Sequence, residues 1–275
     1  MKMKDAMDFS WRATRAHGHV PDGTYAGATF DQHSMGWCGC CYIVAVVQAI
    51  EDRGHIARPR DPRHTVDMQT VLDHFSTSAS AEGSAWNACH GGSVMHVVEC
   101  LVSRACPLLT TRRKRWLGHP SRTARTPLST APYRVASVTR IRTRDVLAEL
   151  YRHGPVILEI NALTLKSCDR DGVVTDLSPA PPNHAVSVVG WKHTQTAGLC
   201  WIVRNSWGKH RVPTDIPDDA LCVNEDANRC AVEWEYWVGD PANPGFCYLP
   251  MSYPMLHTSD PWIVPHVLTD LDRNV

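Results

Sequence analysis

The segment Gln32-His33-Ser34-Met35-Gly36-Trp37-Cys38-Gly39-Cys40-Cys41-Tyr42 ends in a thiol placed where an apolar run begins. Ile43, Val44, Val46, Val47 and Ile50 are too dense for a surface stripe, so Cys41 to Arg53 is predicted as a helix buried on most faces, with Gly54 ending it. A thiol at a helix N-terminus meets unpaired N–H groups and the positive end of the dipole, which favour thiolate and lower a pKa of ~8.5 in free cysteine. A thiolate that attacks a carbonyl needs a base for its proton, a group that orients the base, and donors for the oxyanion. His184, in Asn183-His184-Ala185-Val186, is the candidate base and ion-pair partner. Asn205, in Arg204-Asn205-Ser206-Trp207-Gly208, is the candidate orienter, with Trp207 covering its bond to the imidazole. The Gln32 side-chain amide and the Cys41 backbone N–H complete the set as oxyanion donors. The chemistry implied is acyl transfer through a thiol, as in peptide-bond hydrolysis.

Each residue alone has a plainer reading: Cys41 as a buried structural thiol, His184 as a satisfied core histidine. Their combination reverses that preference. Cys38, Cys40, Cys41 and His33 are close in sequence, but C-x-C-C lacks the paired C-x-x-C spacing of a zinc site and no second pair follows. No metal and no cofactor are therefore assigned.

Cys38-Gly39-Cys40-Cys41-Tyr42 resembles the C-G-[SA]-C-[WY] signature of the papain family, departing at Cys40. The separation from Cys41 to His184 falls within the family's roughly 130–150 residues, and Asn205 lies somewhat beyond it. The blocks 183–191 and 201–208 resemble the family's His and Asn strands, and similarity extends from about Phe9 to Gly208. The resemblance implies a Cys-His-Asn peptidase acting through a thioester, with catalytic residues Cys41, His184, Asn205 and Gln32. It also implies a substrate cleft involving Gly91, Gly92, Asn183, Ala185 and Trp207, because Cys89-His90-Gly91-Gly92 is similar to the family's Cys-Asn-Gly-Gly turn. A Cys38–Cys89 disulfide is expected on the same ground. Peptides or proteins would be the substrates, and a propeptide or protein inhibitor in the cleft a possible partner.

In most relatives the oxyanion glutamine precedes the nucleophile by six residues, where this chain has Met35; Gln32 lies nine before. Such an insertion, with a histidine directly after the glutamine, resembles the cathepsin X group, in which the histidine binds a substrate's terminal carboxylate. Removal of single C-terminal residues is therefore expected, with His33 as carboxylate anchor; an endopeptidase and a silent papain-fold binding module are the alternatives. As an imidazolium, His33 would make a charge-assisted hydrogen bond that no internal peptide bond can accept. Cys40 could compete for Cys38 or Cys89 or pair with the nucleophile. Glu159 is a candidate for the pocket of the second residue upstream of the cut, beside its plainer reading as a solvated strand residue. Cys222 and Cys230 could close a loop peculiar to this chain, and the stretch after Gly208 departs from the family's pattern.

The elements that must position these groups form a helical half and then a β-rich half. Helices are predicted over 66–75, 94–103 and 143–151, and strands over 156–160, 185–191, 200–204 and 233–238. The fold expected is α+β: a papain-like two-domain arrangement, helical left and β-barrel-like right, with the cleft between. Residues 1–30 read as a crossing segment, 31–132 as the helical domain, 133–249 as the β-rich domain, and 250–275 as a tail whose default is packing. Within 110–132 lie Arg112, Arg113, Lys114, Arg115, Arg122 and Arg125 without an acid, read as a solvated, protease-sensitive loop ahead of a docking patch for an acidic partner.

A formal net charge of zero gives no whole-chain support for a nucleic-acid partner, and no run approaches the ~18 apolar residues of a membrane span. Eleven cysteines suit an oxidising history, and fifteen histidines are compatible with an acidic compartment without demonstrating one; the family resemblance together with the cysteine content implies a lysosome-like or extracellular oxidising compartment. The first residues lack the apolar stretch of a secretory signal.

Overall fold

In the computed structural model the described residues are 8–78, 87–103, 109–110, 116–121, 129–130, 133–208, 211–213, 234–236, 243–254, 256 and 260–269. Most of the basic stretch, with all six of its named cations, and the Cys222/Cys230 pair lie outside them.

The chain opens with β1 (Phe9–Ser10), then α1 (Cys41–Ala57), α2 (Met68–Ser78) and α3 (Val94–Val102). Two short strands follow, β2 (Leu109–Thr110) and β3 (Ser129–Thr130), then β4 (Tyr133–Ile141), α4 (Thr143–His153), β5 (Val156–Ile160) and α5 (Ala162–Lys166). The remainder is β: β6 (His184–Thr194), β7 (Gly198–Arg204), β8 (Arg211–Pro213), β9 (Trp234–Tyr236), β10 (Phe246–Pro250) and β11 (Trp262–Thr269). The architecture is the expected α+β, with an antiparallel sheet in the order β10-β7-β6-β5-β11-β4 and β1 added to β6. This path is open among the described residues: its end strands β10 and β4 do not pair.

The apolar density of α1 is explained by what surrounds it, since Ile43, Val44, Val46, Val47 and Ile50 are all fully buried. The helix packs on β6 and β11 and against α2 and α3. It does not stop at Gly54 as predicted. A Cβ there would lie 2.6 Å from the Tyr133 ring, so this glycine admits an aromatic ring from β4 while the helix runs on to Ala57. A second core lies on the other side of the sheet around Trp11, Trp191, Trp201 and Trp262, while Ile157, Ala185 and Ile263 face the helical core.

Three strands of the main sheet, β4, β10 and β11, escape the sequence patterns. β11 contains Pro265, which lacks a donor and argues against a strand with neighbours on both sides. Among the described residues only Trp262 and Ile263 pair with β5, and from Val264 onward the strand pairs with β4 alone, so the proline sits where no second described strand needs its donor. β4 alternates only weakly in burial because its outer face is solvated. Gly190 marks a register shift in β6, where a Cβ would overlap the carbonyl of Phe9 in the crossing strand.

Candidate active site

Cys41 is the first residue of α1, with Cys40 at the N-cap offering no side-chain hydrogen bond. His184 opens β6 and Asn205 follows β7, so the strand pairing of β6 with β7 brings imidazole and carboxamide together. His184 Nε2 lies 2.8 Å from Asn205 Oδ1, and both residues are buried. The Trp207 ring lies against the imidazole at 4.8 Å between centroids, the planes inclined by 30°. With Nε2 engaged, Nδ1 is the nitrogen left to exchange a proton with Cys41. Cys41 and His184 line one cleft of about 220 Å³.

That cleft brings together most of the expected residues. Gln32, His33, Gly91, Gly92, Asn183 and Trp207 line it with Cys41 and His184. Asn205 is fully buried behind His184, and Ala185 is buried too, contributing a backbone N–H to the Cys41 sulfur. Asn183 anchors locally: its Oδ1 accepts from Ala162 N–H at 2.8 Å and its own N–H donates to the Ile160 carbonyl at 3.1 Å.

The far wall is the turn at 88–92. Asn87 Oδ1 accepts the Cys89 N–H at 2.9 Å and caps a 3₁₀ turn over Ala88–His90. The Cys38–Cys89 disulfide ties this turn to the loop before α1, as expected. Gly91 has φ +96°, a conformation that favours glycine, and a Cβ on Gly92 would meet the Tyr42 ring at 2.5 Å. Cys40 is a buried free thiol, held protonated by desolvation and the neighbouring Cys41; it competes for neither half of the disulfide.

Gln32 is buried, and its amide donates to the Cys38 carbonyl at 2.6 Å while Oε1 accepts from Ser206 Oγ at 2.5 Å. The Cys38 carbonyl, which can only accept, fixes which end of the carboxamide is the donor, and the Ser206 hydroxyl fills the other end. Sequence reading passed over Ser206; its place between Asn205 and Trp207 was the available signal. Trp37, His90 and Ala162 also line the cleft without having been singled out.

The electrostatics correct one expectation. Burial raises the Cys41 thiol above its ordinary pKa, and the backbone N–H groups of Ala185, Tyr42 and Cys41 only partly offset it. Burial likewise lowers His184 to about 4, against the opposing Asn205 bond. Taken one group at a time, desolvation is the largest cause of both shifts and disfavours the charged form of each in the ligand-free site. Cys41 keeps part of its surface open to the cleft while its sulfur is hemmed in by protein.

His33 departs further from expectation. It is 6% exposed, and burial, then repulsion from His184, lowers its pKa to about 3. Its Nδ1 accepts the Cys38 N–H at 3.2 Å, which places the proton on Nε2. In the ligand-free cleft it is a neutral donor, not an imidazolium. Glu159 is not among the residues lining the cleft; it is ion-paired with Arg140 at 2.8 Å on partly exposed surface. Among the described residues no group of three or more His, Cys, Asp or Glu could hold a metal ion, and no helix is long and apolar enough to cross a membrane.

Residues 23–212 match the family described as papain family cysteine protease. Cathepsin Z of Onchocerca volvulus is 24% identical over 197 residues, covering 67% of this chain and 62% of the relative. Probable cysteine protease RD19D of Arabidopsis thaliana is 26% identical over 216 residues, covering 74% and 53%. The chain thus spans about half to three-fifths of the length of these curated relatives. Among solved structures, the bromelain protease from Ananas comosus in complex with the E64 inhibitor superposes with a TM-score of 0.57 at 18% identity, covering 94% of this chain and 98% of that one. At that identity the likeness shows the fold alone.

Proposed function

The chain belongs to the papain family of cysteine proteases, and from that membership we propose that it hydrolyses peptide bonds through a thioester on Cys41, removing single residues from free C-termini. The observation that carries the first part is the convergence of Cys41, His184 and the Gln32 amide on one cleft, with Asn205 behind the imidazole. Cys41 Sγ attacks the scissile carbonyl as its proton passes to His184 Nδ1. The oxyanion is met by the Cys41 backbone N–H and the second N–H of the Gln32 amide. Collapse breaks the C–N bond, and His184 returns its proton to the leaving amine. Water, deprotonated by the neutral imidazole, then hydrolyses the thioester and restores the thiol.

C-terminal specificity rests on His33, which follows Gln32 in the cleft wall and holds its proton on Nε2. A neutral N–H donor can accept a terminal carboxylate as hydrogen-bond partner without first taking up a proton. Trimming should therefore not fall as pH rises through 6.5, as it would if His33 acted as an ordinary imidazolium. A propeptide or protein inhibitor occupying this cleft is the partner reading that accompanies the proposal, and an oxidising compartment would supply the Cys38–Cys89 bond.

The test is mass spectrometry of one peptide in free-acid and C-terminally amidated forms, incubated at pH 5 with reduced protein, Cys41→Ala and His33→Ala. The expected result is loss of single C-terminal residues from the free acid alone, abolished by Cys41→Ala and weakened by His33→Ala. Equal internal cleavage of both peptides would make the protein an endopeptidase, an unchanged trimming ratio in His33→Ala would remove the anchor, and absence of Cys41-dependent cleavage would favour the binding module.

A further inference from the structure

Arg204 is almost wholly buried, immediately before Asn205, and its guanidinium reaches three separate elements. Nε donates to Ser187 Oγ at 2.8 Å on β6, three residues beyond His184 on the strand directly paired with Arg204. Nη2 lies 2.7 Å from Asp52 Oδ2 on α1, an ion pair by distance whose angle falls outside hydrogen-bond geometry. Nη1 donates to the Gly27 carbonyl at 3.2 Å, and Asp52 Oδ1 in turn accepts the Gly27 N–H at 3.1 Å. Arg63 also pairs with Asp52, so two guanidinium groups face one fully buried carboxylate.

Asp52 stands eleven residues after Cys41, which is three helical turns and the same helix face, about 16 Å along the axis. The face that presents the thiol to the start of β6 therefore also presents a carboxylate to the end of β7. A helix attached to a sheet at one point can slide or swivel; attached at two points along one face it cannot. Buried ion pairs are a weak source of net stability, because desolvating both charges offsets their attraction. Their value here lies in direction: the planar fork of arginine donates to Ser187 and Gly27 in one orientation, and in that orientation its remaining nitrogen is held against Asp52 by charge.

We propose that Arg204, gripped by Asp52 on α1 and Ser187 on β6, is a positioning residue that holds the helix bearing Cys41 in register with the strands bearing His184 and Asn205. The inference rests on the peptidase reading of the site. Ser187 is two residues from Ala185, whose N–H supports the Cys41 sulfur, so loosening the grip should reach the nucleophile as well as the base. Ångström-scale misplacement of reacting groups can cost about 100-fold in rate.

The experiment compares wild type, Ser187→Ala, Arg204→Lys and the double variant. Ser187→Ala removes one hydroxyl; Arg204→Lys keeps a cation for Asp52 but has no Nε for Ser187. Two quantities are measured on folded protein: kcat and KM for the peptide cleaved by wild type, and the second-order rate of Cys41 alkylation at pH 8 by peptide mapping. The expected result is a fall in kcat of about tenfold or more in each single variant with KM within about twofold, a changed rate of Cys41 alkylation, and a double variant no worse than the poorer single. Unchanged kcat and alkylation, or a loss that disappears after normalising to folded protein, would overturn the proposal. If wild type cleaves nothing, the peptidase reading fails, while alkylation of Cys41 across the same variants still decides the positioning role.

Discussion

Ser206 Oγ donates to Gln32 Oε1 at 2.5 Å, and the backbone N–H of Gln32 donates to the Ser206 carbonyl at 2.9 Å, so the loop before α1 is locked to the segment carrying Asn205. The consequence is chemical. Because the Cys38 carbonyl can only accept, the NH₂ end of Gln32 faces Cys38 and the cleft, and the Ser206 hydroxyl supports that orientation from the Oε1 side.

Gln32→Ala should lower kcat by about 100-fold or more, the range for losing one oxyanion donor, whereas Ser206→Ala should cost about tenfold by letting the carboxamide rotate. KM should change little in either. Steady-state kinetics on the wild-type substrate checks this, and a Ser206→Ala rate equal to wild type would mean that the Cys38 contact alone orients the amide.

Glu51 sets a pH dependence of stability. Burial raises its carboxyl from 4.5 to about 7, although it accepts the Val66 N–H. With the folded pKa above the unfolded one, its stabilising contribution is complete below about 4.5 and is lost as pH rises through about 7. Glu51→Gln keeps an acceptor for Val66 and removes the charge. The variant should gain on wild type as pH rises, by roughly 3 kcal/mol between pH 4 and 8 in urea unfolding. Parallel stability curves for the two proteins would place the titration elsewhere.

His184 and His33 act in the opposite sense. Both are lowered, to about 4 and about 3, so the unfolded chain takes up protons first as pH falls below 6.5. Stability should decline from pH 6.5 toward 3, and His33→Asn should flatten part of that decline. Urea midpoints at half-unit pH intervals provide the measurement; an unaltered acid limb in His33→Asn would show that its burial carries no such cost.

The Cys38–Cys89 bond closes a sequence separation of 51 residues, which the chain-entropy argument values at about 4 kcal/mol. Cys38 also offers its N–H to His33 and its carbonyl to Gln32. Cys38→Ala with Cys89→Ala should therefore lower the urea midpoint and kcat together. A stability loss with full activity would assign the loop's order to its hydrogen bonds instead.

Gly190→Ala would drive a methyl group into the Phe9 carbonyl, and the neighbour is backbone, so the crossing strand has to move. We expect a loss of about 1–3 kcal/mol and earlier proteolysis near Phe9, with Gly23→Ala as the comparison at a position without positive φ whose nearest neighbour, the Tyr25 ring, lies at an ordinary contact distance of 3.6 Å. Equal losses would indicate that close packing at Gly190 is not the cause.

Local chemistry made much of the site legible before any coordinates. A thiol at the mouth of an apolar helix, Asn183-His184 leading a strand and Asn205-Ser206-Trp207-Gly208 closing another specify residue types that have little use apart from one another, and the α+β order follows from helical periodicity giving way to alternation. Strand β11 was obscured by Pro265, and its tolerance depends on having no second described strand beside it, which is a property of sheet topology. The extension of α1 past Gly54 depends on Tyr133, far along the chain. Tertiary structure alone decided the electrostatics: Cys41, His184 and His33 carry the types expected of an ion pair and a cationic anchor, yet desolvation is set by everything packed around them and here disfavours the charged form of each. It decided the Asp52–Arg204–Ser187 junction for the same reason, because residues on a helix and two strands become partners only when the chain brings their buried faces together.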